Sequence, residues 1–122
     1  MAKIPDDVKK AIAEIRPALV ATTGKNGLPN VSPKGSFRVL DDGHVVFADI
    51  RSPRTTANIK ENPAVSVIGL DPASRKGWRI WGRAEILTEG AIFDSLSQEY
   101  ASQGKGKVNH VVKISVDESA VF

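Results

Sequence analysis

The sequence predicts a mainly β (α+β) fold, a closed or split β-barrel of about six to seven strands carrying three helices. Three observations lead there. Short runs rich in β-branched residues follow one another with tight turns between them. Three amphipathic segments interrupt those runs at wide intervals. Too many consecutive strands lack a crossover helix for a doubly wound parallel sheet. At 122 residues the expectation is one domain covering 1–122, with no repeat, linker or low-complexity tract.

The elements follow in order. Asp6 is placed to cap a first helix whose Val8, Ile12 and Ile15 recur at helical spacing, and Pro17 ends it. ALVATT (18–23) is a short strand, closed by the turn residues of Gly24-Lys25-Asn26-Gly27. PNVSPKGSFRVL (29–40) is rich in β-formers, but Pro33 and Gly35 interrupt it and point to an edge, a bulge or a corner. Asp41-Asp42-Gly43 is a hairpin signal ahead of HVVFADI (44–50). Ser52-Pro53 opens a second helix that Pro63 stops. AVSVIGL (64–70) and WRIWGRAEIL (78–87) are strands around a polar loop. Thr88 is placed to cap a third helix with Ile92, Phe93, Leu96 and Tyr100 on one face, and VNHVVKISV (108–116) is the last strand.

Composition narrows the function classes. With 41% hydrophobic and 25% charged residues the chain is ordinary globular protein, neither disordered nor membrane-spanning. The amphipathic start MAKIPDDVKKAIAEI is unlike a secretory leader. The absence of cysteine excludes disulfides, thiolate metal sites, a cysteine nucleophile and cofactor attachment through sulfur, and makes a reducing cytoplasm the expected location. A net charge of +3 suits an anionic ligand but is too small to require nucleic acid. KGSFRV brushes against an RNA-recognition pattern, but Ser36 and Arg38 stand where that pattern needs aromatics. Two histidines are too few for a histidine metal cluster, and H-E-x-x-H, G-x-S-x-G, G-x-G-x-x-G and P-loop patterns are all missing.

Two segments hold candidate chemistry. In RSPRTTANIKENP (51–63), serine at the N-cap, proline at the first helical position and Arg54 beside them make a helix start with free N–H groups, an anion site. Arg54 offers a bidentate pair to a phosphate, and Ser52 and Thr55 offer hydroxyls. The same residues also make an ordinary capped surface helix, and the segment alone leaves both readings open. In VSPKGSFR (31–38), a glycine inside a strand marks the close approach of a ligand or of another backbone, and Lys34 brings a positive charge to it. A β-bulge with a solvated lysine explains that segment equally well. Trp78 and Trp81 are three apart, so in a strand they face opposite sides, one toward the core. His44 follows a hairpin turn and is expected to be exposed. His110 is either an ordinary sheet residue or a contact across an interface.

Taken together, the segments resemble the pyridoxamine 5′-phosphate oxidase-like family of FMN-binding split barrels. The likeness rests on G-x-P-x-V-S-P-K-G, then V-L-D-D-G-H-V-V-F, then D-I-R-S-P-R-T-T-A-N-I-x-x-N-P running into A-V-S-V, and finally R-I-x-G-R-A-E. It covers about Ala18 to Val116. The resemblance implies a phosphate site at Ser52, Arg54 and Thr55, with Asn58 nearby. It implies ring and ribityl contacts, many through main-chain groups, at Ser32, Lys34, Gly35, Ser36, Phe47 and Ala48. It further implies a homodimer with FMN between subunits, where Asn109 and His110 reach the partner's flavin. Against such a ring, Lys34 would favour the reduced anionic form. The ending VDESAVF lacks the basic segment with which the true oxidases bind the vitamin phosphate, and Gly77 stands near the place of a frequent glutamine. The resemblance therefore implies a flavin, and with it an oxidoreductase or electron-transfer role, more strongly than vitamin B6 oxidation. Related barrels use the deazaflavin F420, for whose acidic tail Arg51 and Arg75 are available, and a non-catalytic flavin or haem carrier or sensor is the remaining alternative. The partners expected are a small molecule or a redox protein, with neither nucleic acid nor membrane.

Overall fold

The computed structural model describes residues 2–122, and its seven strands form one antiparallel sheet. In chain order the elements are α1 (Asp6–Glu14), β1 (Ala18–Thr23), β2 (Pro29–Lys34), β3 (Arg38–Asp41), β4 (His44–Asp49), α2 (Pro53–Glu61), β5 (Ala64–Asp71), β6 (Lys76–Leu87), α3 (Ala91–Ser102) and β7 (His110–Val121). The sheet order is β2-β1-β5-β6-β7-β4-β3. Its two edges, β2 and β3, are consecutive in the chain and joined only by Gly35-Ser36-Phe37. The connection draws the edges of the rolled sheet toward each other without a ladder between them. That gap is the split of a split β-barrel.

The run 29–40 is therefore two strands rather than one. Pro33 can sit in β2 because β2 is an edge, where a missing N–H removes no ladder bond on the open side. Two expected caps differ in the structure. The N-cap of α1 is Pro5, and the N-cap of α3 is Gly90 at φ 96, a conformation that favours glycine. Asp6 is instead the first residue of α1, and Thr88 lies outside α3. The last strand starts later and ends later than its apolar pattern predicts. Strand β6 is twelve residues long and offers β7 partners as far as Trp78↔Val121, past a bulge at Trp81/Gly82. Paired backbone overrides the weak strand propensity of Asp117-Glu118-Ser119.

Alternation along β4 produces two cores. Val45 and Phe47 face the barrel interior, with Val20, Val67, Ile80, Val112 and Ile114. Val46 and Ala48 face outward, under Leu96 and Tyr100 of α3. Strand β4 is thus covered on both faces, which explains its nearly continuous apolar run. Ile4, Val8 and Ile12 bring α1 against the interior core. The two tryptophans divide as their spacing predicts: Trp78 is 1% exposed and Trp81 is 38% exposed.

Helix α3 is tied to the sheet by a two-bond pair between the Arg38 guanidinium and the Glu99 carboxylate, the Nη1–Oε1 distance being 3.1 Å. Those hydrogen bonds hold the Glu99 carboxyl below its ordinary value of 4.5. A carboxyl lowered in the folded state contributes stability above its unfolded value and loses it as pH falls through the folded one. Wild type and Glu99→Gln are therefore expected to differ in urea midpoint near neutral pH and to converge as the medium is acidified below 4.5. Parallel curves down to the lowest pH would remove Glu99 from the acid response.

Candidate functional site at the barrel split

Lys34 ends β2 at the split, and its side chain turns inward, 8% exposed. A buried ammonium needs partners. Nζ lies 3.5 Å from Asp49 Oδ1, donates to Ser52 Oγ, and stands 5.5 Å above the centre of the Phe47 ring. Ser32 Oγ is 3.5 Å from Ser52 Oγ. The strand 29–34 and the start of α2, far apart in sequence, meet through these contacts. The Ser52 hydroxyl accepts from Lys34 and makes no cap bond to α2, and Pro53 occupies the first helical turn. The helix start therefore keeps N–H groups free of a side-chain cap, beside a cation and two hydroxyls.

These residues border a cleft of about 410 Å³, walled by Ser32, Lys34, Gly35 and Ser36 on one side and by Ala48, Ile50, Arg51 and Ser52 on the other, with Tyr100 below. Ser36 shapes the wall from within. Its hydroxyl accepts from Ala48 N–H at 2.9 Å and donates to Ala48 C=O at 3.3 Å, linking the connection 35–37 to β4. Ser36→Ala strands both groups, and a cost of about 1–3 kcal/mol in unfolding free energy is expected. Urea denaturation measures it, and an unchanged midpoint would show that water takes over both bonds.

A second cleft, of about 420 Å³, lies on the other side of Ile50-Arg51-Ser52 and is bordered by Asp49, Thr56, Lys60, Asn109 and His110. Asn109 Nδ2 donates to Ile50 C=O at 2.7 Å, and Asn109 N–H donates to Asp49 C=O at 3.0 Å, so the start of β7 holds the shared wall in place. The ladder sets Asp49 directly opposite His110, with His110 Nδ1 3.4 Å from Asp49 Oδ2.

Of the residues singled out by sequence, Ser32, Lys34, Gly35, Ser36, Ala48 and Ser52 come together around the first cleft, and Asn109 and His110 around the second. Phe47 points into the core, stacked against Phe37 at 6.4 Å between ring centres, so only its main chain is offered to a ligand. Thr55 is fully buried, and its hydroxyl accepts from Asn30 Nδ2 at 3.3 Å. Asn58 Nδ2 donates to Thr22 Oγ1 at 3.1 Å, clamping α2 onto β1. Arg54 is exposed and borders neither cleft, whereas Arg51 borders both. His44 is half-buried rather than exposed, its Nδ1 2.8 Å from Asp41 Oδ1. Asp49 was not legible as a site residue. The available signal was an aspartate in an apolar strand, sharing a face with Val45 and Phe47.

The sequence profile of the pyridoxamine 5′-phosphate oxidase family matches residues 4–121. The chain belongs to that family. This pyridoxamine 5′-phosphate oxidase-family chain is similar to an uncharacterized protein of Methanocaldococcus jannaschii, 34% identical over 120 residues, an alignment covering 93% of this chain and 78% of the archaeal one. Among solved structures it is similar to HupZ of Group A Streptococcus, at TM-score 0.88 and 29% identity, covering 98% of this chain and 94% of that one. An FMN-binding protein of Syntrophomonas wolfei shares the fold at TM-score 0.83 and 16% identity, covering 93% and 82% of the two chains. Among the described residues no helix is long and apolar enough to cross a membrane, and no group of three His, Cys, Asp or Glu side chains is disposed to hold a metal.

Proposed function

We propose that this member of the pyridoxamine 5′-phosphate oxidase family is an FMN-binding flavoprotein that passes hydride or electrons to a small molecule or redox protein. The observation that carries the reading is the buried Lys34 ammonium at the split, with the Ser32 and Ser52 hydroxyls and the uncapped start of α2 beside it. This donor set fits a phosphate, which takes charge-assisted hydrogen bonds from a cation, hydroxyls and helix N–H groups together. Arg51, on the wall of the same cleft, adds a second cation.

In this reading Lys34, Ser32 and Ser52 hold the phosphate, with Arg51 supporting, while Gly35, Ser36, Phe47 and Ala48 contribute main-chain surface to the ring and its ribityl chain. Arg54 and Thr55 contribute through their N–H groups rather than their side chains. Bound FMN supplies the hydride and electron chemistry. The working unit is a homodimer with flavin between subunits, located in a reducing cytoplasm, in keeping with a chain that has no cysteine.

The absorption spectrum of the purified protein, with quenching of added FMN fluorescence, tests the reading. Flavin bands or saturable quenching support it, and the absence of both rejects it. Competition between FMN and F420 in the same assay decides between the two flavin classes. Anaerobic reduction of bound FMN by NADH or NADPH separates an oxidoreductase from a passive carrier.

A further inference from the structure

Asp49 is 2% exposed, and its two oxygens point to different residues, Oδ1 to Lys34 and Oδ2 to His110. Strand alternation explains the burial. Asp49 shares the inward face of β4 with Val45 and Phe47, and His110 shares the inward face of β7 with Val112 and Ile114. Register then sets the two side chains against each other.

The His110 ring is constrained at one nitrogen. Nδ1 is buried, sits 3.4 Å from the carboxylate, and makes no hydrogen bond among the described residues. A bare Nδ1 would set a lone pair against a carboxylate oxygen, two acceptors facing each other without water. A proton on Nδ1 converts that repulsion into attraction. The His110 side chain as a whole retains 28% exposure, and the residue borders the second cleft. The other charged side chains on that cleft are Arg51 and Lys60, with Lys34 behind Asp49.

We propose that Asp49 is a positioning residue that fixes His110 in the Nδ1–H tautomer, so that the unprotonated Nε2 faces the second cleft as a proton acceptor. Lys34 faces the other oxygen of Asp49 at 3.5 Å and keeps the carboxylate aimed. The same side chain that borders the first cleft thus anchors the base of the second. The inference concerns the protein without ligand and does not depend on the proposed flavin.

The chain has two histidines, so nitrogen NMR of the unliganded protein reads each tautomer, with His44→Gln assigning the two rings. The spectra are taken at about pH 9, where an ordinary imidazole is neutral. His110 is expected as Nδ1–H in the wild type. In Asp49→Ala it is expected to revert to the Nε2–H form that a free histidine side chain favours. Acylation of His110 by diethyl pyrocarbonate, which needs a bare exposed nitrogen, should slow several-fold in that variant while His44 reacts unchanged. The double variant Lys34→Met, Asp49→Leu removes both buried charges together and should show the same reversion if the single variant does not fold. A wild-type His110 in the Nε2–H form overturns the proposal without any variant, and so does a tautomer that survives loss of the carboxylate.

Discussion

Lys34→Ala is expected to weaken FMN binding by roughly 10- to 150-fold, because a hydrogen bond to a charged group contributes about 1.5–3 kcal/mol. The loss is not confined to the ligand. Lys34 is the cation facing Asp49 Oδ1, and removing it leaves a carboxylate that is 2% exposed with, among the described residues, His110 as its remaining ion-pair partner. Breaking a buried pair from one side costs about 3–5 kcal/mol, and with His110 still in place the lower end is expected. The two effects are separable. A urea curve shows whether the variant is folded under assay conditions, and fluorescence quenching there gives the affinity. A folded variant that binds FMN like the wild type would place the phosphate elsewhere. Lys34→Arg restores the charge but not the fit, since Nζ lies within a short reach of both Ser52 and Asp49.

Trp78→Ala is the larger effect on stability. The indole is 1% exposed, stacks on Phe37 at 5.2 Å between ring centres, and donates its N–H to Ile15 C=O at 3.1 Å. It lies over Gly69 on the neighbouring strand, where a Cβ would come within 2.4 Å of the ring. Truncation leaves a cavity between β5, β6 and the end of α1, and it strands a carbonyl. A loss of about 3–5 kcal/mol is expected, a large part of the ~5–15 kcal/mol that holds an ordinary domain together. Chemical denaturation measures it. A loss below about 1 kcal/mol would mean that the core closes over the gap. Trp81, three residues on and on the outer face, stands as the comparison, and its truncation should cost far less.

Much of the fold was readable because its signals are local. Strand β1 and the helix begun by Ser52-Pro53 depend on alternation, proline and short polar turns, and they stand where the sequence predicts. The end of β7 was not readable, because Asp117-Glu118-Ser119 becomes strand only by pairing with the first half of β6. The α3 start was misplaced because Thr88 and Gly90 are both acceptable starts locally, and the chain enters the helix through Gly90 at φ 96.

The site divides along the same line. The sequence by itself determined that an anion-binding helix start follows a lysine-bearing, glycine-interrupted strand, and hence which segments to examine. Only the tertiary structure decided that Lys34, not Arg54, meets Ser52, that Thr55 and Asn58 spend their side chains on β2 and β1, and that Asp49 stands between Lys34 and His110. The reason is physical. Helix starts and turns are made by neighbours in the chain, whereas the partner of a buried charge is chosen by register and by the rolling of the sheet that draws its edges toward each other.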